Sequence, residues 1–490
     1  MDAGPDGLRL PDAIAAASVT RISADSRTVR PGDLFIAISG TKTDGRTLAA
    51  GAIASGAAAA IGEGDAPCGV PADRWLSVRS ARQAHALLAT AALGHPERSL
   101  RIFGVTGTNG KTTTATLLHE LLNAAGVPCG LISTVRCVTG VRDIPSLHTT
   151  PDPETLFSLF AEMRDAKMAA VSMEVSSHAL DQQRTAGIRF DGAAFTNLTR
   201  DHLDYHGTPE AYGAAKKRLF DGLRPDGQSL AVLNSDDPFG ATLARDTIAR
   251  GVRTVTYSTA AGTKADYCAE ILESTTEGIR FRLRTPSSGF VSSTRLFGAH
   301  NMQNLLAAIA LASQCDLTPA MLERVIPTLQ PVRGRLERVR SASSPAACFV
   351  DYAHTPDALE RAIAALRPAT HGRLVVVFGC GGDRDRGKRP LMGACVHAMA
   401  DIAVVTSDNP RSERPGDIIA DILAGIPTSS SESGSATVLV EPDRRLAIRK
   451  AISLATSPGD TVLVAGKGHE TTQTVNGRDE PFDDREELLQ

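Results

Sequence analysis

The sequence contains no apolar run of about 18 residues and so offers no membrane-spanning helix. Its opening residues, among them Asp2, Pro5 and Asp6, lack the basic start and apolar stretch of a secretory signal. The eight cysteines (Cys68, Cys129, Cys137, Cys268, Cys315, Cys348, Cys380 and Cys395) form no C-x-x-C pair and no metal-ligand spacing. Most sit in apolar surroundings, where a small buried thiol is expected and a disulfide is not. The formal net charge is only −3, which points to no polyanion partner, so nucleic acid is not expected; membrane insertion is not expected either, for want of an apolar run. What remains is a cytoplasmic globular protein, an expectation that suits 42% hydrophobic and 22% charged residues. A chain of 490 residues exceeds what one hydrophobic core supports, so about three domains are expected.

The densest chemical signal is Gly104-Val105-Thr106-Gly107-Thr108-Asn109-Gly110-Lys111-Thr112-Thr113. It follows a strand-like run over 100–105 and precedes a helix-like run over 113–125. Glycines at a strand-to-helix turn let backbone N–H groups approach phosphate oxygens, and the helix end adds partial positive charge. Lys111 can then reach the outer phosphates and Thr112 can hold Mg²⁺. The spacing departs from G-x-x-x-x-G-K-[ST], since Val105 stands where the first glycine belongs. A glycine-rich surface turn with a chance lysine is the alternative.

The patterns on either side divide the chain. Residues 1–97 read as a small N-terminal α/β domain: Asp25-Ser26-Arg27 makes a turn, a buried strand runs through Phe35 and Ile36, and an Ala-rich segment ends at Ile61. Residues 98–332 alternate strands and helices, the pattern of a doubly wound sheet around the phosphate loop. Polar clusters interrupt it at His148-Thr149-Thr150-Pro151-Asp152-Pro153, at Met173-Glu174-Val175-Ser176-Ser177-His178 and at Phe195-Thr196-Asn197-Leu198-Thr199-Arg200-Asp201-His202-Leu203-Asp204-Tyr205-His206-Gly207. Ligands bind at the carboxyl ends of such strands, which makes Glu174 and His202 candidates for Mg²⁺ or water-mediated contacts. The helical Lys216-Lys217-Arg218 cluster reads as a solvated face. Gly298-Ala299-His300-Asn301 precedes a helix expected over 305–312. Residues 333–490 restart the α/β pattern as a third, Rossmann-like unit containing Arg384, Asp408-Asn409-Pro410-Arg411 and Gly466-Lys467-Gly468-His469-Glu470. A Ser-rich stretch over 429–435 reads as a mobile loop.

Laid out in this order, the phosphate loop and the Glu-Val-Ser-Ser-His, Asp-His-Leu-Asp-Tyr-His and Asp-Asn-Pro-Arg segments resemble the Mur ligases over nearly the whole chain. That resemblance implies an α/β protein of three domains, UDP-binding over 1–97, ATP-binding over 98–332 and amino-acid-binding over 333–490. It implies ATP-dependent addition of meso-diaminopimelate to the D-Glu carboxylate of UDP-N-acetylmuramoyl-L-Ala-D-Glu in peptidoglycan synthesis, through an acyl phosphate, by a monomer. The matching positions for the UDP-substrate are Ser26, Arg27, Thr149, Thr150, Ser176, Gln182 and Arg184. For ATP they are Gly107, Thr108, Asn109, Gly110, Lys111, Thr112, Thr113, Asn301 and Arg335. The catalytic set is Lys111, Glu174, His202 and Lys216. Mg²⁺ would be held by Thr112, Glu174, His202 and Lys216, the last as a carbamate. The diamino acid would be received by Arg384, Asp408, Asn409, Arg411, Gly466 and Glu470. Two rivals share features with this reading: a folylpolyglutamate synthase, disfavoured by the N-terminal domain and Asp-Asn-Pro-Arg, and a nucleotide-dependent switch that forms no amide.

Overall fold

The computed structural model describes residues 19–40, 43–146, 148–427 and 436–490. Residues 2–6 and the Ser-rich stretch lie outside them. The chain is α/β throughout and divides into two compact units, one of Met1–Gly104, Pro128–Asp191 and Glu210–Leu223, the other of Val105–Val127, Gly192–Pro209 and Arg224–Gln490. Among the described residues no helix is long and apolar enough to cross a membrane.

The first unit opens with four parallel strands in chain order, Arg21–Ser23, Asp33–Ile36, Ala59–Glu63 and Trp75–Val78. Alternate side chains explain its two cores: Leu34 and Ile36 pack to one side with Ile61, while Phe35 packs to the other with Trp75. Helix Ala81–Ala92 follows, started by the Ser80 hydroxyl accepting from Gln83 N–H. The same unit carries Ala170–Glu174 paired parallel to Cys129–Ile132, extended antiparallel by Arg136–Val138 and Asp143–Pro145.

In the second unit Gly192–Phe195, Leu230–Asn234 and Arg253–Ser258 run parallel and side by side. Beyond them the pattern changes, because Tyr267–Thr275, Gly278–Arg284 and Gly289–Thr294 form an antiparallel meander at the sheet edge. Strand Gly278–Arg284 alternates buried and exposed residues, the signature of a sheet with one wet face. The helix expected over 305–312 spans Ala299–Ala312, so Asn301 falls inside its first turn. The C-terminal part is a six-stranded sheet ordered Glu337–Val339, Ala347–Asp351, Thr461–Ala465, Leu374–Phe378, Ile402–Val405, Thr437–Val440, all parallel except the first pairing. Along Leu374–Phe378 the side chains of Leu374, Val376 and Phe378 enter one core and those of Val375 and Val377 the other, which is why an unbroken apolar run reads as a strand here. No disulfide links the eight cysteines among the described residues, and five of them are buried.

Candidate active site

In the first unit a continuous hydrogen-bond net forms at the carboxyl end of strand Ala170–Glu174. Glu174 is fully buried and accepts from Thr134 N–H at 2.6 Å and from the Thr134 hydroxyl at 3.2 Å. That hydroxyl also donates to Thr149 at 3.0 Å. Thr150 donates to Glu174 O at 2.9 Å and accepts from Ser176 N–H at 3.0 Å. The Ser176 hydroxyl caps helix Ser177–Asp181 by accepting from Ala179 N–H. Arg184 closes the net, donating to Thr150 O at 2.7 Å and through Nε and Nη2 to Gln182 Oε1 at 3.0 and 2.7 Å. Thr149, Thr150, Glu174, Ser176, Gln182 and Arg184, drawn from separate sequence segments, are thus one patch. Ser26 and Arg27 stay in their own turn: Asp25 caps it, and Arg27 donates to the Asp25 carboxylate at 2.9 and 2.8 Å.

The basic cluster on helix Pro209–Asp221 departs from the expected solvated face. Lys216 is 1% exposed, with its ammonium 4.2 Å from the Tyr212 ring centroid. Lys217 and Arg218 turn outward to Asp221 at 2.6 Å and Asp181 at 3.0 Å. The cause is helical periodicity: Tyr212, Ala215, Lys216, Leu219 and Phe220 share the buried stripe.

In the second unit the phosphate loop is braced from behind. Thr108 N–H donates to Asn197 O at 2.8 Å and Asn109 N–H to Asn197 Oδ1 at 2.9 Å; Asn109 O accepts from Thr196 Oγ1 at 2.6 Å and from Asn197 Nδ2 at 3.1 Å. Gly107 (φ 151°) and Gly110 (φ 87°) have backbone conformations that L side chains rarely adopt, and a Cβ at either would strike Thr196 Oγ1 or Asn304 Oδ1. Helix Lys111–Ala124 begins at Gly110 with no side-chain cap, leaving its N-terminal dipole facing the loop. Lys111 Nζ curls over the loop onto Gly107 O at 3.0 Å and Thr108 O at 2.8 Å. Arg335 reaches Thr112 Oγ1 at 3.2 Å, and its guanidinium lies 4.6 Å from the Tyr352 ring centroid. Asn301 Oδ1 accepts from Asn304 Nδ2 at 3.0 Å, and the Asn304 Oδ1 accepts from the Thr114 hydroxyl at 3.3 Å. His202 has left-handed backbone (φ 52°), and its Nε2 is 3.5 Å from Asp201 Oδ2.

The remaining candidates gather at the carboxyl ends of the six-stranded sheet. A side chain at Gly381 would run into Arg411 Nη1 at 2.9 Å with Arg384 Cγ at 3.7 Å, so both arginines flank that glycine. Arg411 N–H donates to Thr474 O at 3.0 Å, and Thr474 N–H donates to Asn409 Oδ1 at 3.0 Å. Asn409 Nδ2 donates to Glu470 Oε2 at 2.8 Å. Gly466 (φ 121°) lets its backbone approach Asp408, whose Oδ2 would be 3.1 Å from an added Cβ; Asp408 Oδ1 is buried with no hydrogen-bond partner among the described residues. Nearby, burial pushes the Asp351 carboxyl up to about 6 despite Arg335, and burial with Glu470 pushes the Tyr352 hydroxyl to about 12. Burial, then Arg335 and Arg333, depress His469 to about 3.

The bracing role of three residues escaped the sequence reading, although Thr196 and Asn197 lie within one of its polar clusters. Asn197 and Thr196 carry no motif spacing of their own, and Asp357, which accepts from Asn109 Nδ2 at 2.8 Å, lies 248 positions downstream. The one readable signal was the helix start Thr355-Pro356-Asp357, which fixes where Asp357 sits but not what it meets.

Comparison with known proteins gives three matches along the chain: the Mur ligase family catalytic domain over residues 18–106, the Mur ligase middle domain over 105–312, and the Mur ligase glutamate ligase domain over 334–468. A UDP-N-acetylmuramoyl-L-alanyl-D-glutamate--2,6-diaminopimelate ligase of Parasynechococcus marenigrum (strain WH8102) is 45% identical over 495 residues, covering 99% of this chain and 96% of that protein. The protein of that name from Ectopseudomonas mendocina (strain ymp) is 43% identical, covering 97% and 95%. A solved structure of a ligase of the same name has a TM-score of 0.68 at 35% identity, covering 95% of this chain and 93% of that one. A MurF ligase of Thermotoga maritima in complex with ADP shares the fold at 20% identity, with a TM-score of 0.61 over 92% and 94% of the two chains.

Proposed function

The chain belongs to the Mur ligase family, and from that premise we propose that it joins meso-diaminopimelate to the D-Glu carboxylate of UDP-N-acetylmuramoyl-L-Ala-D-Glu, with ATP as the energy source, in peptidoglycan synthesis. The observation that carries the reading is the C-terminal cluster, where Arg384 and Arg411 flank Gly381 and the Arg411 backbone is tied through Thr474 to Asn409, whose amide donates to the carboxylate of Glu470. A site offering a planar double donor and an acceptor carboxylate suits an amino acid whose distal end is itself a zwitterion.

In the proposed reaction the D-Glu carboxylate oxygen attacks the γ-phosphorus of ATP, giving an acyl phosphate and ADP. The amine of the incoming residue, having lost a proton, then attacks the acyl carbon, and the tetrahedral intermediate expels inorganic phosphate. No side-chain nucleophile is required. The chain contributes positioning and charge: Lys111 and the loop N–H groups neutralise the phosphates, Asn301 and Arg335 orient the nucleotide, and Thr149, Thr150, Ser176, Gln182 and Arg184 seat the muramoyl-peptide, with Ser26 and Arg27 at its uridine end. Among the described residues no group of three or more His, Cys, Asp or Glu side chains could hold a metal ion; Glu174 is a buried carboxylate at a strand end, and Lys216 would add an oxygen ligand for a hard cation only as a carbamate. Thr112, Glu174, His202 and a carbamylated Lys216 would hold Mg²⁺, whose contribution is charge neutralisation at the phosphates. Domain boundaries at 97/98 and 332/333, a monomeric state, and a cytoplasmic place in cell-wall growth and division belong to the same reading. Phosphate release measured with each substrate omitted in turn tests it: release is expected only when ATP, the UDP-dipeptide and an amino acid are all present, and release that ignores the amino acid would rule out ligation.

A further inference from the structure

Lys467 is unused by the mechanism above, yet it lies between two residues assigned to the amino-acid pocket. It follows strand Thr461–Ala465 in Gly466-Lys467-Gly468, and its side chain is 0% exposed. Burying an ammonium is costly unless all its donors are matched, and lysine has three. All three find acceptors: Asn409 Oδ1 at 3.0 Å, Glu470 Oε2 at 3.2 Å and Thr472 O at 2.5 Å.

Two consequences follow from this geometry. An asparagine amide has two ends of nearly equal size, and only electrostatics decides which way it faces. With the Lys467 ammonium and Thr474 N–H on one side, Asn409 must present its oxygen there and its NH₂ group to Glu470. Glu470 Oε2 is therefore engaged by Lys467 and Asn409, while Oε1 faces the Tyr352 hydroxyl at 3.5 Å. The second consequence concerns charge. Glu470 already shares its negative charge with a buried cation, so a ligand that brings another lone ammonium meets Lys467 at short range. A ligand that brings ammonium and carboxylate together adds no net charge to the cluster of Lys467, Glu470, Asp408, Arg411 and Arg384.

We propose that Lys467 is a positioning residue for the amino-acid pocket, fixing the Asn409 amide and the Glu470 carboxylate so that the pocket favours a zwitterionic distal end over a simple ammonium. The proposal rests on the functional reading given above and deepens it. Lys467→Met, which keeps the length and removes the charge, is the test, with KM determined separately for meso-diaminopimelate, ATP and the UDP-dipeptide. KM for meso-diaminopimelate should rise at least about tenfold, the scale of one ordinary interaction, and the preference in kcat/KM for meso-diaminopimelate over lysine should shrink by a similar factor. KM for the other two substrates should stay within about twofold, a split that general loosening of the fold would not produce. If the Met variant does not fold, Lys467→Gln is judged by the same criteria. An unchanged preference, or three KM values rising together, overturns the proposal. A wild-type enzyme that forms no amide with any amino acid would instead overturn the functional reading, and the two failures are distinguishable.

Discussion

Replacing Asn197 by alanine isolates the bracing of the phosphate loop, because Asn197 is outside the assigned nucleotide contacts. The residue is 8% exposed and its side chain makes two bonds to one residue, accepting from Asn109 N–H at 2.9 Å and donating to Asn109 O at 3.1 Å. Asn109 O keeps a partner in the variant, since Thr196 Oγ1 still donates to it at 2.6 Å. The Asn109 N–H loses its acceptor. An orphaned, partly buried donor costs about 1–3 kcal/mol, and the loop's partial access to water places this one in the lower half, about 1–2 kcal/mol or roughly 5- to 30-fold. That cost falls on the loop conformation proposed to receive phosphates, so kcat/KM for ATP should drop by that factor while KM for the UDP-dipeptide and for the amino acid holds. The assay is steady-state phosphate release against ATP concentration with the other substrates saturating, alongside a thermal melt. A kcat/KM for ATP within twofold of wild type at unchanged Tm would refute the bracing role. So would equal rises in all three KM values.

Other perturbations probe the remaining parts. Lys111→Ala should lower turnover by about two orders of magnitude or more, the scale of a single electrostatic stabiliser, with the melting transition retained; near-normal turnover would remove the phosphate-seat assignment. Lys216→Ala should be nearly inactive and partly recovered by a small added carboxylate, and fully active enzyme whose Lys216 is unmodified by intact-mass measurement would exclude the carbamate. His469 sits at about 3 against an ordinary 6.5, so the folded state favours its neutral form; its stabilising contribution is complete above 6.5 and is lost as pH falls toward 3. Asp351, raised from 3.8 to about 6, works in the opposite sense, contributing below 3.8 and losing that contribution as pH rises through 6. Wild-type Tm should therefore fall more between pH 7 and pH 5 than that of His469→Gln, and parallel Tm profiles would show that His469 is not depressed.

Strands buried on both faces were legible as unbroken apolar runs, and the turn from strand Arg101–Thr106 into helix Lys111–Ala124 was legible because its glycines, Lys111 and helix start coincide in one stretch. The burial of Lys216 was not, because three adjacent basic residues look alike in sequence and only the phase of the helix separates Lys216 from Lys217. The first turn of Ala299–Ala312 was missed because Asn301 and Asn304, poor helix formers elsewhere, are held there by bonds to Phe297 O, Thr114 and each other. The antiparallel strands over 267–294 were absorbed into an alternating α/β pattern, although Gly278–Arg284 alternates polarity in a way that a buried parallel strand would not. Contacts that join distant segments, such as Asn109 with Asp357, have no local signal at all.

The most direct test is the choice of amino acid. Arg411, whose Nη1 lies against Gly381 and donates to Gly382 O at 2.7 Å, would in the proposed reading supply the fork that a distal carboxylate pairs with. Lysine lacks that carboxylate, and sites built around such a contact reject the analogue by roughly 10⁴ to 10⁵ in kcat/KM. Measured at fixed ATP and UDP-dipeptide, kcat/KM for meso-diaminopimelate should exceed that for lysine by this order, and Arg411→Ala should lose most of the difference. Lysine coming within about tenfold in the wild-type enzyme, one 1.4 kcal/mol step, would contradict the assignment of this cluster as the diamino-acid pocket.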